Sequence, residues 1–356
     1  MQVLNEIIKQ LSPTGGVAQR LIATNGDVRA LRPFIGTDGR TYITINGENG
    51  KTKAVPIHNT EASLRKDDWK LLDEAIIKAA KQRLKLVADL RSQGLTYSVP
   101  NGMGKTILES ENVGDIGDAS VSMDGIRQGA NDRPIFDLVG LPLPIVHKDF
   151  SFSARQIAAS RNGGSPLDTT TAELAARKCA EQVEKMSIGT ASDYTYGGYT
   201  IQGITSYDKR ITRTLTSPTA SGWTPATTLT EVLAMKQDSM DAYHYGPWSL
   251  YVSSAWDQYL DRDYSSSYPG VTLRSRLAML NNIDEVKTLD YMDSYDMALV
   301  QKTTDTVRIV IGMEFVTVQW ETQGGMLQNF KVMGIQVPQC RADQNDNCGI
   351  VHGSVA

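Results

Sequence analysis

One long helical pattern, over residues 169–189, most constrains how this chain can fold. It reads TTTAELAARKCAEQVEKMSIG, and its small or apolar residues recur at intervals of three and four, as on one face of a helix. Thr170 and Glu173 form a capping-box pattern at its start, and Gly189 can adopt the left-handed conformation that ends a helix. At ~1.5 Å per residue the helix is about 30 Å long, enough to cross a domain. We call it the spine helix, and its predicted buried face comprises Ala172, Ala175, Ala176, Cys179, Ala180, Val183 and Met186.

A second amphipathic helix is predicted as one continuous element over residues 64–91. Its apolar positions from Trp69 to Leu90 follow helical spacing, Asp67 and Asp68 lie near the positive N-terminal end, and Gly94 supplies the stop. The opposite face is basic, with Lys70, Lys78, Lys81 and Lys85.

Two other segments are too small to fold alone. Over residues 1–63 the turn signals SPTGG, NGD, GTDG and NGENG leave room only for short strands such as TYITI, which bury too little surface to offset the ordering entropy. We predict an arm that lies either on the rest of the chain or on a neighbouring copy. Over residues 94–118, two extended runs flank PNGMG and predict a hairpin, which also needs a neighbour because a lone two-stranded hairpin is marginal in water.

The segments on either side of the spine helix are predicted mainly as strands and turns. Residues 118–160 read as short strands and turns. After the spine helix, Thr228 and Glu231 form a second capping box, opening a helix that runs to about Tyr243. Gly246 and Pro247 end that helix before the strand WSLYVS.

The last third of the chain is predicted to be mostly β-structure. Short helices near residues 256–262 and 273–280 precede the strands EVKTL, MALVQ, TVRIVIG, EFVTVQW and LQNFKVMGIQV. Val307, Ile309 and Ile311 alternate with other residues in TVRIVI, which predicts a strand buried on one face. Helices and strands in separate runs indicate the α+β class.

Composition and charge restrict the class of protein. The 356 residues suggest about two domains, 40% are hydrophobic, and no apolar run reaches the roughly 18 residues of a membrane span. With no signal-peptide core at the N-terminus, a soluble cytoplasmic chain without membrane contact is expected. Residues 1–93 carry 15 Lys and Arg against 10 Asp and Glu, although the whole chain has a net charge of -4. Such a local excess can attract a polyanion, but a solvated surface is the simpler interpretation.

The motif GKT occurs twice, at residues 50–52 and 104–106. A phosphate-binding loop needs a further glycine five positions before the glycine of GK[ST], and it leads into a helix. Those positions hold Ile45 and Val99, and extended or turn-rich sequence follows both motifs. Nucleotide binding is therefore not predicted.

The remaining candidate catalytic and metal-binding residues are scattered. No HExxH motif or GxSxG elbow occurs, and we expect His58, His147, His244 and His352 to be satisfied hydrogen-bonding residues. Cys179 is expected to pack as a small apolar side chain, and Cys340 and Cys348 with His352 lack a fourth ligand and close spacing for zinc. We predict no catalytic, cofactor-binding or metal-binding residues, and hence no enzyme.

With these parts in order, the chain resembles the tailed-phage major capsid proteins of the Hong Kong 97 type, on the branch close to bacterial encapsulin shell proteins. The resemblance rests on the Trp69 helix followed by SVPNGMGKTILE, on LPIV with the spine helix AELAARKCAEQVEKMSIGT, and on GPWSLYV, IGMEFVTVQWE and NFKVMGIQVP. Encapsulins begin almost directly with the Trp-containing helix, whereas about sixty residues precede it here, which is similar to a phage capsid arm.

The resemblance implies an α+β fold of the Hong Kong 97 type with six parts. These are an N-terminal arm (1–63), an N-terminal helix (64–93), an E-loop hairpin (94–118), a peripheral domain with the spine helix (119–195), an axial domain (196–319), and strands returning to the peripheral domain with the C-terminus (320–356).

The resemblance also implies a function. The chain would be a major capsid protein that self-assembles as pentamers and hexamers into the icosahedral head of a tailed bacteriophage, around double-stranded DNA. Its partners would be many copies of itself, a portal, and scaffolding or decoration proteins. The basic arm and first helix would make weak, sequence-independent contacts with packaged DNA. The location would be the virion, after assembly in the host bacterial cytoplasm. The alternative is an encapsulin-like nanocompartment shell that holds enzyme cargo.

Overall fold

The computed structural model describes residues 32–46, 52–57, 64–81, 84–113, 123, 136–162, 169–265, 270–293, 295–343 and 345–355. Its helices are Lys66–Lys81 (α1), Lys85–Ser92 (α2), Ala154–Asn162 (α3), Thr170–Ile188 (α4), Pro225–Asp241 (α5), Asp257–Leu260 (α6) and Leu273–Ala278 (α7). Its strands are Phe34–Ile35 (β1), Thr41–Asn46 (β2), Thr52–Ile57 (β3), Thr96–Ser98 (β4), Ile107–Val113 (β5), Phe136–Pro142 (β6), Val146–Ser153 (β7), Thr195–Tyr196 (β8), Tyr199–Thr200 (β9), Ile211–Leu215 (β10), Trp248–Ser253 (β11), Ile283–Leu289 (β12), Met297–Gln301 (β13), Val307–Thr322 (β14), Leu327–Cys340 (β15) and Ile350–Val355 (β16).

A five-stranded mixed sheet, in the order β10-β16-β13-β11-β12, forms one half of the fold. β11 and β13 are buried along their whole length, as expected for central strands covered on both faces. α5 lies against β10, β13 and β16, and α7 lies against β12. The core between them contains Trp248 and Trp256, both almost fully buried. The C-terminal strand β16 belongs to this sheet.

A four-stranded sheet, in the order β4-β14-β15-β7, forms the other half. β14 and β15 make a long antiparallel hairpin that turns at Gly324 and Gly325, both with positive φ. The spine helix α4 packs on β7 and β15 and is covered by α1. Its small side chains allow this close approach, and the Cys179 thiol lies 3.9 Å from the carbonyl oxygen of Val332 on β15.

The spine helix is confirmed, with a correction at its start. All seven predicted face residues are buried, and Gly189 ends the helix in the left-handed conformation at φ 107°. The predicted capping box at Thr170 is wrong, because the helix already includes Thr170 and the N-cap is Thr169. The Thr169 hydroxyl donates to Glu173 instead of accepting from a backbone N–H, at 3.1 Å.

The first helix is two helices, and its prediction as one continuous element over 64–91 is wrong. α1 ends at Lys81, α2 begins at Lys85, and Leu84 between them has a non-helical φ/ψ of -90° and 76°. The two pieces pack in different cores: Trp69 of α1 lies with the first half of the spine helix, and Leu90 of α2 lies with its second half. No glycine or proline marks this break, because tertiary packing determines it. Asp67 and Asp68 lie in the first turn of α1 and Gly94 follows α2 at φ 74°, both as predicted.

The hairpin predicted over residues 94–118 is wrong in its pairing. β4 pairs in parallel with β14, whereas β5 pairs with β6 through the register Ile107↔Pro142 to Val113↔Phe136. Between these strands, in the PNGMG turn, Gly102 lies directly on the backbone of Gly312. A β-carbon at Gly102 would lie 2.3 Å from the Gly312 carbonyl oxygen.

Further local predictions are corrected by packing. The N-cap of α5 is Thr224, whose hydroxyl accepts from the backbone N–H of Thr227 at 3.3 Å, so Thr228 lies inside the helix and the second capping box is wrong. Residues 154–162 form α3 instead of strand or turn. The start of β14 is buried on both faces instead of one, because Val307 packs in one core and Val310 in another.

Candidate assembly surface

The antiparallel pair β5–β6, called the ribbon below, carries exposed apolar residues. It runs from the pair Ile107↔Pro142 to the pair Val113↔Phe136. Leu138 and Val139 are 50% and 39% exposed although they are adjacent on β6. Adjacent strand residues point to opposite faces, so both faces of the ribbon present apolar side chains to solvent.

The base of the ribbon is held firmly. Leu108 and Leu141 are 7% exposed and pack in a core with residues of β14 and β15. Gly140 lies under the ring of Tyr199, on β9, where a β-carbon would come within 2.4 Å of the ring. Because Gly140 has no side chain, the β8–β9 hairpin can pack on β6 and brace the ribbon at the point where it leaves the body.

The described part of the arm lies on the same chain. β1, β2 and β3 form a small sheet, and the Trp69 indole N–H of α1 donates to the carbonyl oxygen of Pro33 at 3.0 Å. The Arg32 guanidinium lies 4.6 Å from the centre of the Trp69 ring and forms an ion pair with Asp73 at 2.6 Å. Residues 32–46 and 52–57 therefore use the first of the two alternatives left open by the sequence. Residues 1–31, 47–51 and 58–63 of the predicted arm lie outside the described residues.

A buried carboxylate on the spine helix caps α2. Glu184, 2% exposed, accepts from the backbone N–H of Leu86 at 2.6 Å and of Val87 at 3.3 Å. These are among the first N–H groups of α2, which have no partner within the helix. Burial raises the pKa of Glu184 to about 7, against the opposing effect of these hydrogen bonds.

A second buried carboxylate joins α2 to the five-stranded sheet. Asp89, 4% exposed, accepts from the Tyr251 hydroxyl and the Lys287 ammonium, each at 2.5 Å. Burial, and then the Asp89 charge, raise the pKa of Tyr251 well above its usual value. Sequence reasoning missed both carboxylates, because their partners are distant in the chain and no local motif marks them.

The basic face of the first helix is only partly paired. Lys85 binds Asp290 at 2.7 Å, and Lys70 lies 3.9 Å from Glu74. Lys78 is exposed, and the side chain of Lys81 lies outside the described part of the chain.

Both GKT motifs lead into strands where the structure describes them. Thr52 begins β3, and the glycine and lysine before it lie outside the described residues. Gly104 ends a short 3-10 turn, and β5 begins at Ile107 directly after Thr106. Neither described segment has the helix that a phosphate-binding loop requires.

The histidines lie apart from one another where they are described. Nδ1 of His352 accepts from Nε of Arg210 at 3.3 Å, and its Nε2 lies 2.9 Å from Oδ2 of Asp296. His244 forms a hydrogen bond with the Gln301 side chain, and His147 is exposed on β7. His58 lies outside the described residues.

The cysteines are packed thiols. Each sulfur lies against a backbone carbonyl oxygen, at 3.9 Å for Cys179 and Cys340 and 3.6 Å for Cys348. Burial raises the pKa of Cys179 and Cys348 to about 12 and also raises that of Cys340, so these thiols stay protonated at neutral pH.

Within the described residues, no group of three or more His, Cys, Asp or Glu side chains is placed to hold a metal ion. None of the described helices is long and apolar enough to cross a membrane.

Comparisons with known proteins agree on the fold. The type 1 encapsulin shell protein EncA of Myxococcus xanthus is 24% identical over 216 residues, which cover 59% of this chain and 68% of that protein. The crystal structure of a virus-like particle from Pyrococcus furiosus superposes with a TM-score of 0.58 at 15% identity, covering 80% of this chain and 99% of that one. The capsid of Myoviridae phage XM1 superposes with a TM-score of 0.51 at 11% identity, covering 72% and 89%.

These likenesses confirm the predicted α+β fold of the Hong Kong 97 type. The sequence profile of a family described as "Family of unknown function (DUF6260)" matches residues 59–353. Since that match spans most of the chain, this protein belongs to the family of unknown function DUF6260.

Proposed function

We propose that this chain is a structural protein that assembles, in many copies, into a closed icosahedral shell of pentamers and hexamers. The ribbon carries this proposal, because it exposes Leu138 and Val139 on opposite faces of a two-stranded sheet. A two-stranded ribbon is marginal in water, and an exposed apolar strand is a site for contact with another chain. A neighbouring copy would cover it, and the fold shared with shell proteins supports this.

We propose further that the shell is the head of a tailed bacteriophage enclosing double-stranded DNA. The support is the N-terminal segment, because β1–β3 add a sheet ahead of the Trp69 helix, as expected for a phage capsid arm. The partners would be other copies, a portal, and scaffolding or decoration proteins, and the location would be the virion after assembly in the host cytoplasm. The alternative is an encapsulin-like compartment with enzyme cargo, and the 24% identity to EncA is the observation that supports it.

Assembly is tested by expressing the chain and examining it by size-exclusion chromatography and electron microscopy. Wild-type protein should form megadalton icosahedral shells, whereas Leu138→Asp should remain unassembled and melt at the same temperature as disassembled wild-type subunits. Leu138→Met keeps an apolar side chain of similar size at the same position and should assemble normally. A wild-type chain that stays monomeric under all assembly conditions, or Leu138→Asp shells like those of the wild type, would contradict the proposal.

The contents of particles from the native source separate the two kinds of shell. Double-stranded DNA protected from nuclease, in particles with a portal at one vertex, supports the phage head. Particles that contain a co-purifying enzyme and no protected DNA support the compartment.

The contact with DNA is a separate proposal. We place the basic face of α1 on the inner surface, where exposed Lys78 and the loosely paired Lys70 would make sequence-independent phosphate contacts. The measurement is the association constant for double-stranded DNA as a function of salt concentration. Replacing both lysines by glutamine should reduce the slope of its logarithm against log salt concentration by about one per lost contact. A shell reconstruction with these lysines on the outer surface would contradict it.

A further inference from the structure

Two arginines lie side by side at the start of the β14–β15 hairpin. Arg308 on β14 is opposite Gln339 on β15, and the backbone N–H of Arg341 continues the ladder by donating to the carbonyl oxygen of Thr306 at 2.9 Å. Gln339 and Arg341 are two residues apart, so Arg341 points to the same face as Arg308. Diagonal neighbours of this kind are about 7–8 Å apart at the backbone, within reach of two long side chains.

Within the part of the chain that the structure describes, neither guanidinium has a close carboxylate. Nε of Arg308 donates to the neutral side chain of Gln339 at 2.7 Å, and its guanidinium lies 4.5 Å from the centre of the Tyr97 ring. Nη1 of Arg341 lies 4.0 Å from Asp305, whose side chain is 85% exposed. Nε of Arg341 is buried and has no hydrogen-bond partner.

Arg91 and Arg274 each have close carboxylates, although among the described residues Nε of Arg91 is, like Nε of Arg341, buried without a hydrogen-bond partner. Arg91 forms two hydrogen bonds with Glu314, at 3.0 and 3.1 Å, and Arg274 binds both Asp257 and Asp261.

The positive charges of Arg308 and Arg341 are therefore not balanced by nearby carboxylates of the described chain. Burial, and then the nearby Arg341 charge, lower the pKa of Arg308. Two partly buried cations that repel one another, paired with a neutral amide and with a carboxylate no closer than 4.0 Å, favour an anion between them.

We propose that Arg308 and Arg341 form a binding site for a phosphate group. A tetrahedral phosphate carries enough oxygens and charge to accept from both planar guanidinium groups, which match phosphate geometry closely. A single carboxylate is a poorer fit, because Asp305 is within reach and remains in solvent at 4.0 Å. The phosphate comes either from free inorganic phosphate or from the backbone of a nucleic acid, which share the same chemistry. The site does not depend on shell assembly.

The test is the melting temperature of the full chain in sodium phosphate and in sodium chloride at equal ionic strength. Phosphate should raise the melting temperature of the wild type, and a titration gives the apparent Kd. Arg308→Gln and Arg341→Gln should each weaken phosphate binding by about tenfold, the effect of losing a charge-assisted hydrogen bond. Arg91→Gln is the matched control, since Arg91 is already paired with Glu314 from the same strand β14, and it should respond as the wild type does.

Asp305→Asn provides a test of opposite sign. Removal of the competing carboxylate should strengthen phosphate binding, and this holds even if an arginine variant folds poorly. A second arm replaces inorganic phosphate with a short DNA duplex. Tighter binding of the duplex than of phosphate, lost in both arginine variants, identifies nucleic acid as the source, and equal or weaker binding identifies free phosphate.

The proposal is overturned if neither ligand shifts the wild-type melting temperature, or if the shift persists in both arginine variants. It is also overturned if the variants lose assembly while phosphate and DNA have no effect. In that case the arginines bind carboxylates of a second copy.

Discussion

Replacing Glu184 with glutamine should remove a large part of the pH dependence of this protein's stability. The Glu184 carboxylate is buried where the spine helix meets α2, and it accepts from two backbone N–H groups at the start of α2. Burial raises its pKa to about 7, from 4.5 for an ordinary glutamate. Protonation of this group is therefore coupled to folding.

The sign and size follow from the two pKa values. Below pH 4.5 the group is protonated in both the folded and the unfolded chain, and its contribution to stability is fully present. Between pH 4.5 and 7 the unfolded chain releases the proton while the folded chain keeps it, so the free energy of unfolding falls as pH rises. A shift from 4.5 to about 7 at ~1.36 kcal/mol per pH unit corresponds to a loss of about 3 kcal/mol, complete once pH exceeds the folded pKa.

The measurement is thermal or denaturant unfolding between pH 4 and 8, with the same assembly state verified at every pH. The difference in unfolding free energy between wild type and Glu184→Gln should change by about 3 kcal/mol across this range, since glutamine does not titrate. Glu173→Gln, on the exposed first turn of the same helix, is the control and should follow the wild-type profile. Parallel pH profiles for wild type and Glu184→Gln would refute the reasoning.

Three further substitutions test the packing by thermal unfolding. Ala176→Phe, on the fully buried face of the spine helix, should overpack the core and cost about 1–3 kcal/mol, and it should also reduce the yield of shells on electron micrographs. Gly102→Ala should cost at least about 1–3 kcal/mol, because its β-carbon would lie 2.3 Å from the backbone oxygen of Gly312. Tyr251→Phe should cost roughly 1.5–3 kcal/mol, because it removes the buried hydrogen bond to the Asp89 carboxylate.

Matched controls distinguish these effects from general sensitivity. Leu174→Phe introduces the same residue on the outer side of the spine helix, where Leu174 is 45% exposed, and it should be nearly neutral. A β-carbon at Gly104 meets the side chain of Asn101, which can rotate, so Gly104→Ala should cost less than Gly102→Ala. Equal losses within either pair would count against the placement of the spine helix or of the Gly102 turn.

Periodicity and chain order in the sequence predicted the elements whose structure depends on a repeated pattern. The spine helix has the buried face that its small residues indicate, and the strands EVKTL, MALVQ and LQNFKVMGIQV lie within β12, β13 and β15. Local capping motifs were less informative. Thr170 and Thr228 both lie inside their helices, because several threonines are close together around each helix start and packing selects which one caps it.

The sequence by itself determined the element types, the apolar face of the spine helix and the order of parts from which the capsid-type fold was predicted, because these properties repeat along the chain. Tertiary structure alone decided the break between α1 and α2, the separation of β4 from β5, and the pairing of β5 with β6 as an exposed ribbon. It also placed the Glu184 carboxylate at the N-terminal end of α2, and Arg308 beside Arg341. These features depend on contacts between residues far apart in the chain, whose free energies leave no periodic signal in the sequence.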